Sequence, residues 1–587
     1  MALLLQDTNS EDPDIPRGHV LCWLCLILLA GFALRVWHLD HESLWIDEAF
    51  SVWVGWQPVV PALNWLARID QHPPLYYLLL HFWMRIGDDP YSVRLLSALV
   101  STLNVPVLYR LARRLAGWRV GLLAATLLAF SPFHVQFAQE ARMYALLCLE
   151  ATFLVWAVVV LLRDGRASVL LPGAQFRAAY RALLRVGRVS LQKRVRQGPR
   201  DLQIDLAWCG VLLASAAALW THNTAVLLVL AVNVVVLGVG LSSWWADRVR
   251  RDRGLFTRPA HLHCICSAVQ VSAARCRGAR TTMDRALSEI PARGPARTTV
   301  GRFLRHWLLA QVGVLLLWSP WLPRFVTQSQ AVYRSFWLPA PTAQVVLETV
   351  QRLLCAFLPD RLGWAWAVWV GYGLLLLLGA YRLQKRPGTL YALLVLFCVP
   401  IVGEWLISLL RPVFYDRTLI WASIPLYVLL ALGLRQLRYR SWATVVTVAL
   451  VTLNLLSIRN YDLHVHKEGW DEAAAYVAAE SIQGDLILFH ATWVQLPFDY
   501  YFREADLPVE ERGVPVDLFD RGVLEPEMTL ADVDRMRALI GGRGRVWLVY
   551  SHYWYTDPQR LVIGTLEKEM VLQSRRRFRG LEVRLYK

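Results

Sequence analysis

Apolar runs long enough to cross a bilayer recur along this chain, and no other feature constrains its fold as strongly. A hydrocarbon core of ~30 Å needs about 20 residues of helix at ~1.5 Å each. Eleven segments suit such spans, roughly 19–39, 91–110, 119–138, 145–162, 206–220, 224–242, 307–325, 361–381, 389–410, 416–434 and 441–458. The 587 residues are 56% hydrophobic and 18% charged, less charge than a soluble chain of this length would carry. The first run has the length of a signal sequence. Many spans follow it and no convincing cleavage site does, so it reads as an uncleaved first helix. The fold class expected is an α-helical polytopic membrane protein.

Charge sets the expected topology. The formal net charge of +17 would suggest nucleic acid in a soluble protein. Here the arginines cluster between apolar runs, as in cytoplasmic loops, and no nucleic-acid partner is expected. The segment 73–87 is apolar but short for a span. If it does not cross, Arg110–Arg119, the arginines of 163–200 and 248–305, Arg382–Arg386 and Arg435–Arg440 all fall on one side. If it crosses, those loops move outside. The segment therefore reads as a helix at the outer interface, leaving about eleven spans, the N-terminus cytoplasmic and the C-terminus extracytoplasmic. The expected location is a bacterial plasma (inner) membrane.

Two domains are expected: 1–459 in the membrane and 460–587 as a soluble α/β domain outside it. In the latter, Trp470–Val477 reads as a helix, Leu486–His490, Arg545–Tyr550 and Leu581–Tyr586 as strands, and 531–540 as another helix. Two Arg-rich insertions, roughly 163–205 and 243–305, interrupt the membrane domain. In the first, Arg177, Arg181, Arg185 and Arg188 recur at the spacing of an amphipathic helix on anionic lipid. In the second, His261, His263, Cys264 and Cys266 are too crowded for a familiar zinc spacing. No disulfide framework shows among the nine cysteines.

Residues with chemistry gather in the outer loops. Leu44-Trp45-Ile46-Asp47-Glu48-Ala49 and Asp70-Gln71-His72-Pro73-Pro74-Leu75-Tyr76-Tyr77 lie in the first, and Gln139-Glu140-Ala141-Arg142-Met143-Tyr144 in the second. A carboxylate can take the proton of an attacking hydroxyl, and Arg and His can hold a leaving phosphate. Each has a plainer reading. Asp47 can cap the helix that follows it, Glu140 and Arg142 can be exposed charges beside a span, and Tyr76, Tyr77 and Tyr144 can belong to an aromatic belt. Asp47, Glu48 and Glu140 could also gather around a divalent ion, a cofactor question left open by the sequence. A transporter would put ionisable groups deep within spans, where only Glu404 qualifies. A transporter and a glycan ligase or polymerase remain the alternatives.

These motifs, with Arg94-Leu95-Leu96-Ser97-Ala98-Leu99, Ser131-Pro132 and Arg411-Pro412-Val413-Phe414-Tyr415-Asp416-Arg417-Thr418, resemble those of the GT-C superfamily. The similarity is densest over 35–160, toward the protein O-mannosyltransferases, the lipid A aminoarabinose transferase and the lipopolysaccharide-core galacturonosyltransferases. It implies a glycosyltransferase with a polyprenyl-phosphate monosaccharide donor. The acceptor would be a lipid, glycan or protein hydroxyl at the extracytoplasmic face, attacked with inversion. It implies Asp47 as general base, Glu48 beside it and Glu140 as the second acidic position. It implies substrate binding by His72, Tyr76, Arg142, Tyr144 and Arg417. His72 departs from relatives with Lys at that place, and the basic insertions match no feature of the superfamily.

Overall fold

The computed structural model describes residues 17–68, 72–163, 199–256, 297–332, 341–359, 363, 365–410, 412–505, 507–520 and 526–587. Among these, nine helices are long and apolar enough to cross a membrane: Gly18–Val36, Pro90–Ala116, Tyr144–Arg163, Gln203–Thr221, Ala225–Ser242, Ala365–Arg382, Pro387–Ser408, Asp416–Gln436 and Arg440–His464. Two further helix pairs qualify if each bent pair is one span, Trp118–Ala129 with Pro132–Ala138 and Gly301–Trp318 with Leu322–Gln330. All eleven correspond to segments expected from hydropathy. Large apolar side chains such as Leu29, Trp366 and Leu377 stand exposed on these helices, where lipid rather than water would cover them.

Eight helices build the N-terminal part: α1 (Arg17–Val36), α2 (Ile46–Trp56), α3 (Val59–Arg68), α4 (Leu75–Trp83), α5 (Pro90–Ala116), α6 (Trp118–Ala129), α7 (Pro132–Ala138) and α8 (Tyr144–Arg163). α4 is the doubtful segment of the sequence. Its nine residues reach about 14 Å at ~1.5 Å each, half a hydrocarbon core. α5 begins where the Asp89 side chain accepts the Ser92 N–H at 3.1 Å, with Pro90 in the first turn. α6 and α7 meet at 58°. Ser131 caps α7 and Pro132 opens it, so the chain restarts its helix in a new direction.

Contacts divide the described residues into two compact bodies. One comprises Met1–Trp156, Leu213–Ala231 and Leu316–Lys587, the other Ala157–Leu212 and Val232–Leu315. Within the second, Asn233 accepts the Trp307 indole N–H at 2.8 Å and donates to Gln311 at 3.0 Å. The helices Pro199–Thr221, Ala225–Phe256 and Arg297–Trp318 extend into the ends of the two basic insertions. The amphipathic reading of Arg177–Arg188 and the zinc reading of His261–Cys266 lie outside the described residues. The expectation that Glu404 alone is deeply placed needs correction. Glu150, in α8, is also buried within its span, and its Oε1 accepts the Thr221 hydroxyl at 3.0 Å, as Glu404 Oε2 accepts that of Thr418 at 2.8 Å.

The C-terminal residues form a five-stranded mixed sheet ordered β2-β1-β3-β5-β4, from β1 (Leu486–His490), β2 (Glu510–Gly513), β3 (Val546–Ser551), β4 (Leu572–Phe578) and β5 (Leu581–Tyr586). β1 pairs in parallel with β2 and β3, while β5 runs antiparallel to β3 and β4. β1, β3 and β5 are buried throughout and read as largely apolar runs, the polar exceptions being His490 and Ser551 at the ends of β1 and β3 and Glu582 and Arg584 in β5. β2 and β4 escaped the sequence reading. They are the two edges, and Glu510-Glu511-Arg512 and Arg575-Arg576-Arg577 carry the charge that keeps an edge from pairing elsewhere.

This sheet domain is fastened to the loops that carry the candidate residues. The Leu44 N–H donates to Tyr501 Oη at 2.8 Å, Tyr500 donates to the Asp88 carbonyl at 2.7 Å, and Arg503 meets Asp88 at 3.1 Å. Glu42 accepts from His466 at 2.9 Å and lies 3.2 Å from Arg579. Ser43 bonds the carbonyl of Glu468. Gly580 has φ +75°, and a Cβ there would meet the Glu468 side chain at 2.7 Å, so glycine closes the β4–β5 turn on this joint without strain.

Candidate active site

The first turn of α2 carries two carboxylates with opposite surroundings. Asp47 is the second residue of the helix and Trp45 its cap, with no side-chain capping bond, so Asp47 does not serve as the cap. Its side chain keeps 29% of its exposure, and its Oδ2 lies 3.0 Å from Arg417 Nη1 and 3.8 Å from Arg142 Nη2. Glu48 is fully buried. Its oxygens accept from Arg94 Nε and Nη2 at 2.8 Å each, from the Ala141 N–H at 2.8 Å and from Lys467 Nζ at 2.8 Å. Burial alone would push its carboxyl up; Arg94 and Lys467 overcome this and hold it at about 2. Arg94 also donates to the carbonyls of Leu39, Glu42 and Ser43, so the Glu48–Arg94 pair shapes the chain entering α2.

The turn between α7 and α8 supplies the next pair. Arg142 is 3% exposed and donates to the Asp47 carbonyl at 3.2 Å, the Tyr77 hydroxyl at 3.1 Å and Ser51 Oγ at 3.3 Å. Ser97 Oγ donates to the Arg142 carbonyl at 3.3 Å and lies 2.9 Å from the Tyr76 hydroxyl. Tyr76 thus supports the backbone beneath Arg142 from a fully buried position. Glu140 is buried as well. Its Oε1 accepts from Gln136 at 3.4 Å, and its Oε2 has no hydrogen-bond partner among the described residues. Burial raises the Glu140 carboxyl to about 7, with Glu48 and Asp47 adding to the rise and Lys467 and Arg417 opposing it.

Arg417 arrives from a distant part of the chain, where a 3₁₀ turn, Asp416–Ala422, leads into the helix Ser423–Gln436. Asp416 is tied to Arg352 at 2.7 Å, which fixes the turn. The Arg417 guanidinium lies 4.5 Å from the Tyr415 ring centroid, 5.4 Å from that of Tyr144 and 5.6 Å from that of Trp45. Three aromatic rings surround it while its Nη1 reaches Asp47.

Asp47, Arg142, Tyr144 and Arg417 therefore share one site, with Glu140 at its wall. His72 stands at a further edge, its ring 5.1 Å from that of His222. Sequence reasoning assigned no role to Arg94, Lys467 or His222. Arg94 lay inside a motif already quoted, and His222 in the loop between two spans expected to open on the outer side. Lys467 had no signal beyond its place after the last span. The carboxylates do not form a metal-ligand set. Asp47 faces two guanidiniums, Glu48 is saturated by Arg94 and Lys467, and no group of three or more His, Cys, Asp or Glu among the described residues is placed to hold an ion.

The family of dolichyl-phosphate-mannose-protein mannosyltransferases matches residues 71–180. Crystal structures of ArnT from Cupriavidus metallidurans are similar over 97% of this chain and 98% of theirs, with a TM-score of 0.55. The apo state is 14% identical and the form bound to undecaprenyl phosphate 13% identical. The chain has the GT-C fold. The oligosaccharyltransferase of Archaeoglobus fulgidus in its apo form is 11% identical, with a TM-score of 0.47, over 91% of this chain and 70% of that one. No curated protein matches the sequence. The GT-C fold and its apolar helices make this an integral membrane protein.

Proposed function

We propose that this protein is a polyprenyl-phosphate-dependent glycosyltransferase. It moves a monosaccharide from the lipid phosphate to an acceptor hydroxyl on the extracytoplasmic face, with inversion at the anomeric carbon. The observation that carries the proposal is Asp47, a partly exposed carboxylate lying between Arg142 and Arg417. Two guanidiniums are a natural grip for a phosphate, each able to donate paired bonds. A donor phosphate entering the site competes with Asp47 for those cations. The carboxylate is released to accept the proton of the incoming hydroxyl as the arginines take up the charge of the departing phosphate.

The other residues follow from their surroundings. Glu48, saturated and buried, positions α2 and hence Asp47. Glu140, raised to about 7 chiefly by burial, is an acid whose charge changes in the range where such an enzyme works, and it serves as a second proton acceptor or orients the acceptor hydroxyl. Tyr144 packs its ring against Arg417, Tyr76 supports the turn that aims Arg142, and His72 contributes to the phosphate side. The fold's similarity to ArnT, crystallised with undecaprenyl phosphate, supports a prenyl-linked donor. The sugar and the acceptor, whether lipid, cell-wall glycan or protein, are read out by comparing the glycolipids and surface glycans of a deletion strain with those of its parent. Loss of one glycan modification, restored by the wild-type gene and not by Asp47→Asn, is the expected result. Identical glycans in the two strains would count against the proposal.

A further inference from the structure

The short loop between the spans Gln203–Thr221 and Ala225–Ser242 carries a histidine that the chemistry above does not use. His222 is buried, and its ring centroid lies 5.1 Å from that of His72 and 6.1 Å from that of Tyr144, whose ring packs against Arg417. Its two nitrogens differ. Nδ1 accepts the backbone N–H of Thr224 at 3.1 Å and lies 2.9 Å from the Thr224 hydroxyl. A nitrogen that accepts an amide hydrogen carries no proton itself, so the proton of the neutral ring is on Nε2. Nε2 is buried and has no hydrogen-bond partner among the described residues. Buried N–H groups without an acceptor are rare in folded proteins, and this one lies beside the candidate site, 5.1 Å ring to ring from His72.

We propose that His222 is a further ligand of the donor lipid, its Nε2–H bonding a phosphate oxygen of the polyprenyl-phosphate sugar next to His72 and the Arg142–Arg417 pair. This rests on the glycosyltransferase reading of the same site. The chemistry suits a neutral donor. A phosphate gripped by two guanidiniums still has lone pairs to fill, and an imidazole N–H fills one without adding another buried charge. Burial, followed by the neighbouring His72 and the charges of Arg142 and Arg417, pushes the ring's pKa well below the usual histidine value, so the neutral form prevails. A purely structural role would need only Nδ1, which latches the loop through Thr224.

Two substitutions separate the roles. His222→Asn keeps an acceptor near the Nδ1 position and drops the distal donor. His222→Gln carries an amide N–H near the Nε2 position. The readout is equilibrium binding of polyprenyl phosphate to the purified full-length protein in detergent, with the neutral polyprenol of the same length as control. His222→Asn should bind the lipid phosphate at least about tenfold more weakly, as expected for losing a bond to a charged group. Polyprenol binding should hold, and His222→Gln should stay within a few-fold of wild type. Unchanged lipid-phosphate binding by His222→Asn overturns the proposal. So does an equal loss of phosphate and polyprenol binding in both variants, which would mark the residue as structural. If wild-type protein does not bind polyprenyl phosphate at all, the glycosyltransferase reading falls and takes this assignment with it. If wild type binds and His222→Asn is indifferent, only the assignment falls.

Discussion

Glu48→Gln separates the two neighbouring acids of α2 more sharply than any other change. The substitution keeps the shape of the side chain and removes its charge, leaving Arg94 and Lys467 buried beside a neutral amide. Both are deeply placed, with side-chain exposures of 2% and 15%. A Glu48 carboxyl held at about 2, where a free one titrates near 4.5, favours the native state by about 3 kcal/mol at neutral pH. Removing one partner of a buried pair typically costs ~3–5 kcal/mol, a range that includes this figure. The sign with pH follows from the depressed value. The contribution is complete above about 4.5 and is lost as pH falls through about 2, so the variant's deficit is largest near neutrality and shrinks in acid. The assay is unfolding of detergent-purified protein by titration with SDS at several pH values. Adding Lys467→Met to Glu48→Gln should destabilise by less than the two single changes together, because one stranded cation is gone. A single variant within about 1 kcal/mol of wild type at pH 7, or strict additivity of the pair, would refute the reasoning.

Other expectations are as direct. Asp47→Asn should lower transfer in membranes by ~10²–10⁴-fold while leaving protein level and stability intact, and near-normal turnover would remove Asp47 from the role of base. Glu140 is raised to about 7, so the stability it contributes in acid is lost as pH rises through about 7. Glu140→Gln should therefore gain on wild type by up to about 3 kcal/mol above that pH, and should flatten a transfer rate that otherwise climbs with pH through about 7; a wild-type profile without that rise would count against an ionised Glu140. Single cysteines near Asp88 and near Gly117, in a protein without native cysteines, should be labelled by an impermeant reagent from outside at the first and protected at the second. The reverse pattern would mean that α4 crosses.

The spans were legible because a membrane helix needs only length and apolarity, which a sequence displays directly. The helix Trp470–Glu480 and strands β1, β3 and β5 were legible for the same reason, their buried faces being written as apolar runs. Polar edges hid β2 and β4. The acids of α2 and of the α7–α8 turn could be singled out, but their division of labour could not. Asp47 and Glu48 are adjacent in sequence, and only the partners brought by folding distinguish them. Those partners are remote: Arg417 is 370 residues from Asp47, and Lys467 is 419 from Glu48. Nothing local marks either one as the counter-charge of a given acid. His222 shows the same limit, because a histidine between two spans becomes informative only when each ring nitrogen can be followed to its partner.

The central claim is the use of a polyprenyl-phosphate sugar, and the most direct test follows the lipid. Purified protein in lipid vesicles is supplied with a panel of polyprenyl-phosphate monosaccharides and a membrane extract as acceptor. Release of free polyprenyl phosphate is measured together with the anomeric configuration of the new linkage. The account predicts that one donor is consumed with stoichiometric release of the lipid phosphate and inversion at the anomeric carbon, and that Asp47→Asn slows that release by ~10²–10⁴-fold. Retention of configuration, or release that persists undiminished in Asp47→Asn, would contradict it.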